Sequence, residues 1–266
     1  MPKTIAVALL RMQKSSLTSD NSNRFAIYEK VVNQSKSLMK ALKCDIEMVV
    51  APEYFYSSVD TIGQNYKQLG PVAMTRSDKH SLYSKLKELS RKSGSTVLVT
   101  GSIYYKKGRG GKKGLNMCPI LKNGEFLHKY YKKMDDGAVS KGITGGIFTY
   151  KNTDPIFKVK DVVFGIEICG DHSQANLKGW LTSHGKTVDV QLLISDSDFP
   201  KASSMGVSPG GYFIQCDLGG EANAALGVYS ADQTGKVDTT FKNSKDPDIV
   251  FQSSSEVTVE IHKITV

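Results

Sequence analysis

VVFGIEICGDH, residues 162–172, is an apolar run of strand length that passes without a spacer into Cys169-Gly170-Asp171. Val162 to Ile168 is short and rich in β-branched and aromatic residues, which predicts a buried strand. Gln174 to Ser183 can follow as a helix and Val188 to Ile194 as the next strand. Cys169 is thereby placed at a strand-to-helix turn of an α/β fold. A thiol at a helix N-terminus is drawn toward thiolate by the helix dipole and by any nearby cation. The backbone amide of Gly170 stands next to it as a donor for an oxyanion.

The same alternation extends toward the N-terminus. Thr4 to Leu10 predicts a buried strand, and Ser22 or Asn23 can cap a helix whose Phe25, Tyr28, Val31, Val32, Leu38, Met39 and Leu42 share one face. Ile46 to Ala51 is a second apolar run that stops at Pro52, which cannot donate to a central ladder, so Glu53 opens a loop at that strand's C-terminal end. Open α/β sheets place their sites at such ends. Tyr54 and Tyr56 follow the glutamate and either line a pocket or pack in the core. Leu82, Leu86 and Leu89 predict a helix capped by Ser77 and closed by a left-handed Gly94, before a strand from Thr96 to Tyr104. Asn116 to Leu121 and Glu125 to Tyr131 flank Asn123-Gly124, a pair suited to a type I′ hairpin turn. Lys132 then lies just past a strand end. The C-terminal third holds short strands at Tyr212 to Cys216, Ala224 to Val228, Asp248 to Phe251 and Val257 to Ile264.

A carboxylate, an ammonium and a thiol thus each follow a separate strand. Singly, each has an ordinary explanation: a buried small hydrophobe for Cys169, a surface lysine for Lys132, a loop or ion-pair residue for Glu53. Asp171 is assigned a structural role first. His172, adjacent to the thiol, points away from its neighbour on most turns, and Glu167 faces the side of Cys169 only if the strand stays regular to its end.

Pro-Glu in APEYFY, Tyr-x-Lys at the end of LNMCPILKNGEFLHKYYKK and Cys-x-Asp in GIEICGDH occur in one order, and together the chain resembles the nitrilase superfamily of carbon-nitrogen hydrolases. TGSIYY and VDVQLLISDSDFP extend the resemblance over roughly residues 4 to 230. It implies a four-layer α-β-β-α sandwich of the nitrilase type, commonly assembled as a dimer or larger oligomer, with a cofactor-free site. It implies Glu53 as general base, Cys169 as nucleophile, and Lys132 with the Gly170 amide as holders of the developing charge; Tyr54 and Tyr56 are the expected pocket residues. The lysine's distance from the turn glycine selects Lys132 over Lys133. Two departures stand out. Relatives that are amidases often carry a further glutamate between the lysine and the cysteine, where this chain offers Asp135, Asp136, Asp154, Asp161 and Glu167. KASSMGVSPGG, residues 201–211, is also short and too rich in glycine for more than a turn of helix, which leaves Ser203, Ser204 and Met205 as weak candidates for substrate contact.

The bulk properties bound the rest. A chain of 266 residues with 39% hydrophobic and 23% charged residues fits one ordinary folded domain spanning 1–266. No apolar stretch approaches the roughly 18 residues of a membrane span, the N-terminus lacks a signal-peptide pattern, and a cytoplasmic location is expected. Cys44, Cys118, Cys169 and Cys216 are widely spread, so neither a disulfide framework nor a metal site is expected. Much of the net charge of +9 sits in Lys106, Lys107, Arg109, Lys112 and Lys113, interleaved with glycines and without an aromatic residue, which describes a solvated hairpin tip and not a nucleic-acid surface. The expected partners are a small-molecule substrate and further copies of the chain. The function expected is hydrolysis of an amide, carbamoyl or nitrile carbon-nitrogen bond through a thioester. Acyl transfer from the same thioester, or a non-catalytic scaffold that binds an acidic partner through the basic hairpin, are the alternatives.

Overall fold

The computed structural model describes residues 1–12, 21–56, 73–135, 147–196, 198–218, 226–239 and 244–266. Two sheets form its centre. The first runs β13 (Ile249–Ser254), β14 (Val257–Thr265), β1 (Thr4–Met12), β2 (Ile46–Val50), β3 (Val97–Val99), β5 (Lys113–Lys122) and β4 (Ile103–Lys107), with β6 (Glu125–Tyr131) and β7 (Ile147–Phe148) also paired to β5. The second runs β12 (Gly227–Ser230), β11 (Val207–Asp217), β10 (Val188–Ser195), β9 (Val162–Ile168) and β8 (Ile156–Val159).

Strand parity decides which residues meet. On β1 and β2, Ile5, Val7, Leu9, Met48 and Val50 face the second sheet and pack with Phe164, Ile166, Ile168, Leu192, Ile194 and Ile214. The alternate residues Ala6, Ala8, Leu10, Val49 and Ala51 face α1 (Asn21–Leu42) and α2 (Arg76–Ser93), against Tyr28, Val31, Val32, Met39, Leu82, Leu86 and Leu89. Each valine, leucine, isoleucine or methionine among them stabilises the fold by roughly 1.5–3 kcal/mol on burial. Behind the second sheet lie α3 (Gly170–Ser173) and α4 (Asn176–Ser183), where Leu177 and Leu181 pack on Val188. The order is helix, sheet, sheet, helix, the four-layer α-β-β-α sandwich expected from the sequence. Gly165 admits α4: a Cβ there would stand 2.6 Å from Leu177 Cδ2. Among the described residues no helix is long and apolar enough to cross a membrane.

Three boundaries differ from expectation. The cap of α2 is Thr75, whose Oγ1 accepts the Asp78 amide at 3.1 Å, and not Ser77; Gly94 closes that helix at φ +64 as expected. The strand expected over Thr96 to Tyr104 is broken at Thr100-Gly101-Ser102, because Gly101 at φ +78 brings its backbone against the Pro52 carbonyl. The helix expected over Gln174 to Ser183 starts at Asn176, separated from α3 by Ala175 at φ 53. The Asn123-Gly124 turn has φ values of 52° and 82°, as a type I′ turn requires. The expected short turn before β11 is a single 3-10 turn, Ala202–Ser204.

Candidate active site

Glu53 is carried by a loop that its surroundings hold on every side. The Pro52 carbonyl accepts the Ser102 amide at 3.3 Å, and the Tyr54 amide donates to Ser102 Oγ at 2.9 Å. From the helix layer, the fully buried Arg24 donates Nη1 to the carbonyls of Phe55 at 2.9 Å and Tyr54 at 3.4 Å. Gly101 cannot be larger, since a Cβ would lie 2.5 Å from the Pro52 carbonyl oxygen and 2.9 Å from Phe55 Cβ. Tyr54 itself adopts φ 53, a conformation that costs a non-glycine residue of order 1–2 kcal/mol.

Lys132 begins where β6 ends. Its amide donates to the Asn116 carbonyl at 2.9 Å, and its Nζ donates to Glu53 Oε1 at 2.8 Å. Asn116 Nδ2 donates to the same oxygen at 2.8 Å. Glu53 and Lys132 are both 0% exposed and Asn116 is 1% exposed, so this is a buried charge pair with a third polar group gripping it. The Tyr54 ring centroid lies 5.7 Å from Lys132 Nζ and packs edge-on against Tyr104. Tyr56 lies elsewhere: it packs on Tyr28 and Phe55 in the helix-facing core.

Cys169 follows β9 at φ 45, ψ −114. It is 8% exposed, its amide donates to the Ile194 carbonyl at 3.0 Å, and its Sγ lies 3.9 Å from the Asp196 carbonyl oxygen. A residue with a side chain in that conformation is a strained strand-to-helix corner, the geometry that lifts a nucleophile clear of a sheet. Gly170 opens α3, so its amide is one that the helix's own ladder cannot use. Cys169 belongs to the same buried cluster as Val50, Cys118 and Tyr130, which stand two or three residues from Glu53, Asn116 and Lys132. Burial pushes the thiols of Cys44, Cys118 and Cys216 up, so these three are poor thiolates.

Asp171 ties the lysine and cysteine turns together. Its carboxylate accepts the Tyr130 hydroxyl at 2.8 Å, the amides of Lys133 and Met134 at 3.0 and 2.9 Å, and Asn176 Nδ2 at 3.1 Å. Burial pushes its carboxyl up to about 6, against the opposing effect of those donors and the Lys132 ammonium. Burial, with Asp171 beside it, raises Tyr130 well above the usual phenol range, so it remains a donor.

Glu167 and His172 point the other way. Cys169 leaves the strand with positive φ, and Glu167 faces the outer layer, where it accepts from Leu177 N at 2.8 Å and Gln191 Nε2 at 2.9 Å and meets His172 Nδ1 at 2.7 Å. His172 Nε2 accepts the Lys201 amide at 3.0 Å, which fixes the proton on Nδ1. Ser203, Ser204 and Met205 lie on this outer side too: Lys178 Nζ and Gln191 Nε2 donate to the Ser203 and Ser204 carbonyls, and Met205 packs with Leu193 and Phe213. Of the loop Met134 to Phe148, residues 136–146, and with them Asp136, fall outside the described residues. Among the described residues no cluster has the composition of a metal site.

Asn116, Arg24 and the Gly101-Ser102 clamp were not singled out from the sequence. Two of them left a trace there. Arg24 is a charge on the apolar stripe of α1, four residues before Tyr28, and Gly101 is a glycine inside a strand pattern, which signals close backbone approach.

A profile of the family described as carbon-nitrogen hydrolase matches residues 6–208. No curated protein sequence gives a significant match. Among solved structures, Saccharomyces cerevisiae Nit3, a member of branch 10 of the nitrilase superfamily, aligns with a TM-score of 0.58 and 16% identity over 97% of this chain and 90% of its own. A carbon-nitrogen hydrolase from Helicobacter pylori G27 aligns with a TM-score of 0.60 and 13% identity over 98% and 89%. An amidase from Nesterenkonia sp. aligns with a TM-score of 0.57 and 12% identity over 97% and 89%. A variant of that amidase has been seen with the acetamide moiety of fluoroacetamide added covalently at its active-site cysteine.

Proposed function

Because the chain belongs to the carbon-nitrogen hydrolase family, we propose that it hydrolyses the carbon-nitrogen bond of a small amide or carbamoyl compound through Glu53, Lys132 and Cys169, without a cofactor. The observation that carries this reading is the fully buried Glu53–Lys132 pair at 2.8 Å, together with a cysteine on a strained turn that shares a buried cluster with Val50, Cys118 and Tyr130, two or three residues along the chain from Glu53, Asn116 and Lys132. Isolated buried charge pairs seldom stabilise a fold over apolar packing, so such a pair calls for a role beyond stability.

In the proposed sequence the Glu53 carboxylate takes the Cys169 proton as Sγ attacks the carbonyl carbon. Lys132 and the Gly170 amide hold the oxyanion of the tetrahedral species, an effect worth a few kcal/mol per donor. Collapse breaks the carbon-nitrogen bond, and the proton held by Glu53 leaves with ammonia or an amine. Water then gives its proton to Glu53 and adds to the thioester, and a second collapse releases the acid and returns the proton to Cys169. An amine or alcohol in place of that water would make the same chemistry an acyl transfer, which product analysis with an added nucleophile separates.

The first test is intact-mass labelling with fluoroacetamide, whose acetamide moiety adds covalently at the active-site cysteine of a glutamate-to-glutamine variant of the Nesterenkonia amidase. The expected result is one adduct, mapped to Cys169 and formed more slowly in Glu53→Gln and Lys132→Met. Because that adduct forms without the glutamate, slowing and not abolition is the expected outcome. Labelling spread over several cysteines and indifferent to both substitutions would overturn the reading, and would favour a scaffold that engages an acidic partner through its basic hairpin.

A further inference from the structure

We infer that Asn116 is a positioning residue whose side-chain amide holds the Glu53 carboxylate ionised and oriented for the proposed chemistry, on which this inference rests. One residue of β5 grips both members of the charge pair by different groups. Its backbone carbonyl fixes the Lys132 amide at 2.9 Å, while its Nδ2 donates to Glu53 Oε1 at 2.8 Å, the oxygen that also takes Lys132 Nζ.

The way the amide is turned supports this assignment. Asn116 Oδ1 is buried and has no hydrogen-bond partner among the described residues. A buried acceptor left unsatisfied is unfavourable, and an apolar side chain of similar size would avoid the penalty. The donor directed at Glu53 is what the asparagine supplies and leucine would not. Turned over, the amide would set oxygen against oxygen at Oε1, so the carboxylate fixes its orientation.

A hydrogen bond to the charged form of an acid favours that form. Lys132, at the end of β6, pairs with Glu53; the charged and titratable groups next to that pair or its loop are Tyr54, whose ring centroid lies 5.7 Å from Lys132 Nζ, Asp171, whose carboxyl feels the Lys132 ammonium, and Arg24, which donates to the Tyr54 and Phe55 carbonyls. Lys132 and Asn116 both donate to Oε1. Removing the Asn116 donor leaves the backbone bond to Lys132 intact and raises the proton affinity of Glu53.

The experiment is the pH dependence, from pH 5 to 9, of Cys169 alkylation by fluoroacetamide in wild type, Asn116→Leu, Asn116→Asp and Glu53→Gln, each first checked for folding by thermal denaturation. In Asn116→Leu the acid limb of the profile should move up by about one pH unit, the scale of one lost hydrogen bond to a charged group. At a pH below the midpoint this is about a tenfold slower reaction. Asn116→Asp, which keeps the shape and sets a second carboxylate against Glu53, should move the limb in the same direction, and it decides the matter if the leucine variant does not fold. If Glu53→Gln slows Cys169 but both asparagine variants keep the wild-type profile, the assignment of Asn116 is wrong and the catalytic reading stands. If Cys169 is unselective in wild type and Glu53→Gln has no effect, the catalytic reading fails, and the inference with it.

Discussion

Substituting Lys132 by methionine should destabilise the protein far more than one lost side-chain hydrogen bond implies. Nζ lies 2.8 Å from Glu53 Oε1, and both side chains are 0% exposed. Removing the ammonium leaves a buried carboxylate without its cation, with the Asn116 amide still donating to Oε1. Breaking one side of a buried pair costs roughly 3–5 kcal/mol. At roughly 2–4 °C per kcal/mol for chains of about this length, the melting temperature should fall by about 6–20 °C. Glu53→Gln strands the ammonium instead, but the glutamine oxygen can still accept its hydrogen bond, so the loss should sit at the lower end of that range. The double variant Glu53→Gln/Lys132→Met contains no stranded charge. Its loss should be smaller than the sum of the single losses by roughly 2 kcal/mol or more, a coupling expected of groups in direct contact. Urea denaturation followed by circular dichroism on the four proteins gives the cycle directly. Additive losses, or a cost for Lys132→Met below about 1 kcal/mol, would refute the claim that the two charges depend on each other in the interior.

Gly101→Ala should cost roughly 2–4 kcal/mol, combining a left-handed alanine with a Cβ placed 2.5 Å from the Pro52 oxygen, and should make Cys169 labelling insensitive to Glu53→Gln; unchanged stability would contradict the clamp. Asp171 titrates at about 6 in the fold against about 3.9 in the unfolded chain, so between those values the folded state holds a proton that the unfolded state has released. Its contribution is therefore full below about pH 4 and lost as pH rises through about 6. The stability of wild type relative to Asp171→Asn should grow as pH falls from 7 to 4 in thermal melts, and a flat or reversed trend would remove the raised carboxyl. Thr75→Ala should cost about 1 kcal/mol by loss of the α2 cap while Ser77→Ala costs almost nothing, and the opposite ranking would restore the cap to Ser77.

How much could be read from the sequence depended on how local each signal was. Strands β1, β2, β9 and β10 carry long apolar runs and were legible, as were the Asn123-Gly124 turn and the leucine stripe of α2. The family motifs placed Glu53, Lys132 and Cys169 at strand ends, and the pair between the first two joins residues 79 apart, a relation that no local pattern displays. Asn116 was hidden because it sits within an otherwise apolar strand, where its partners come from two other segments of chain. The break at Gly101 and the split at Ala175 each answer to a neighbour reached through space or to a local left-handed turn, which the pattern of the flanking residues marks only by a glycine in the first case. Tyr54 and Tyr56 look alike in sequence. The turn at φ 53 sends the first toward Lys132, and the second packs with Tyr28.

Tyr54 and Cys169 stand among six described non-glycine residues with positive φ, together with Lys43, Asn123, Lys160 and Ala175. Glycine at Lys43, Lys160 or Ala175 would relieve about 1–2 kcal/mol of left-handed strain, partly offset by a looser unfolded chain. At Tyr54 or Cys169 the same relief would delete the ring beside the lysine or the thiol itself. A laboratory lineage selected only for heat resistance would therefore find mild gains at the first three positions, and could gain at the other two only by dismantling the proposed reactive corner. Inactive descendants from such a selection, gathered at residues 54 and 169, would be its fossil record.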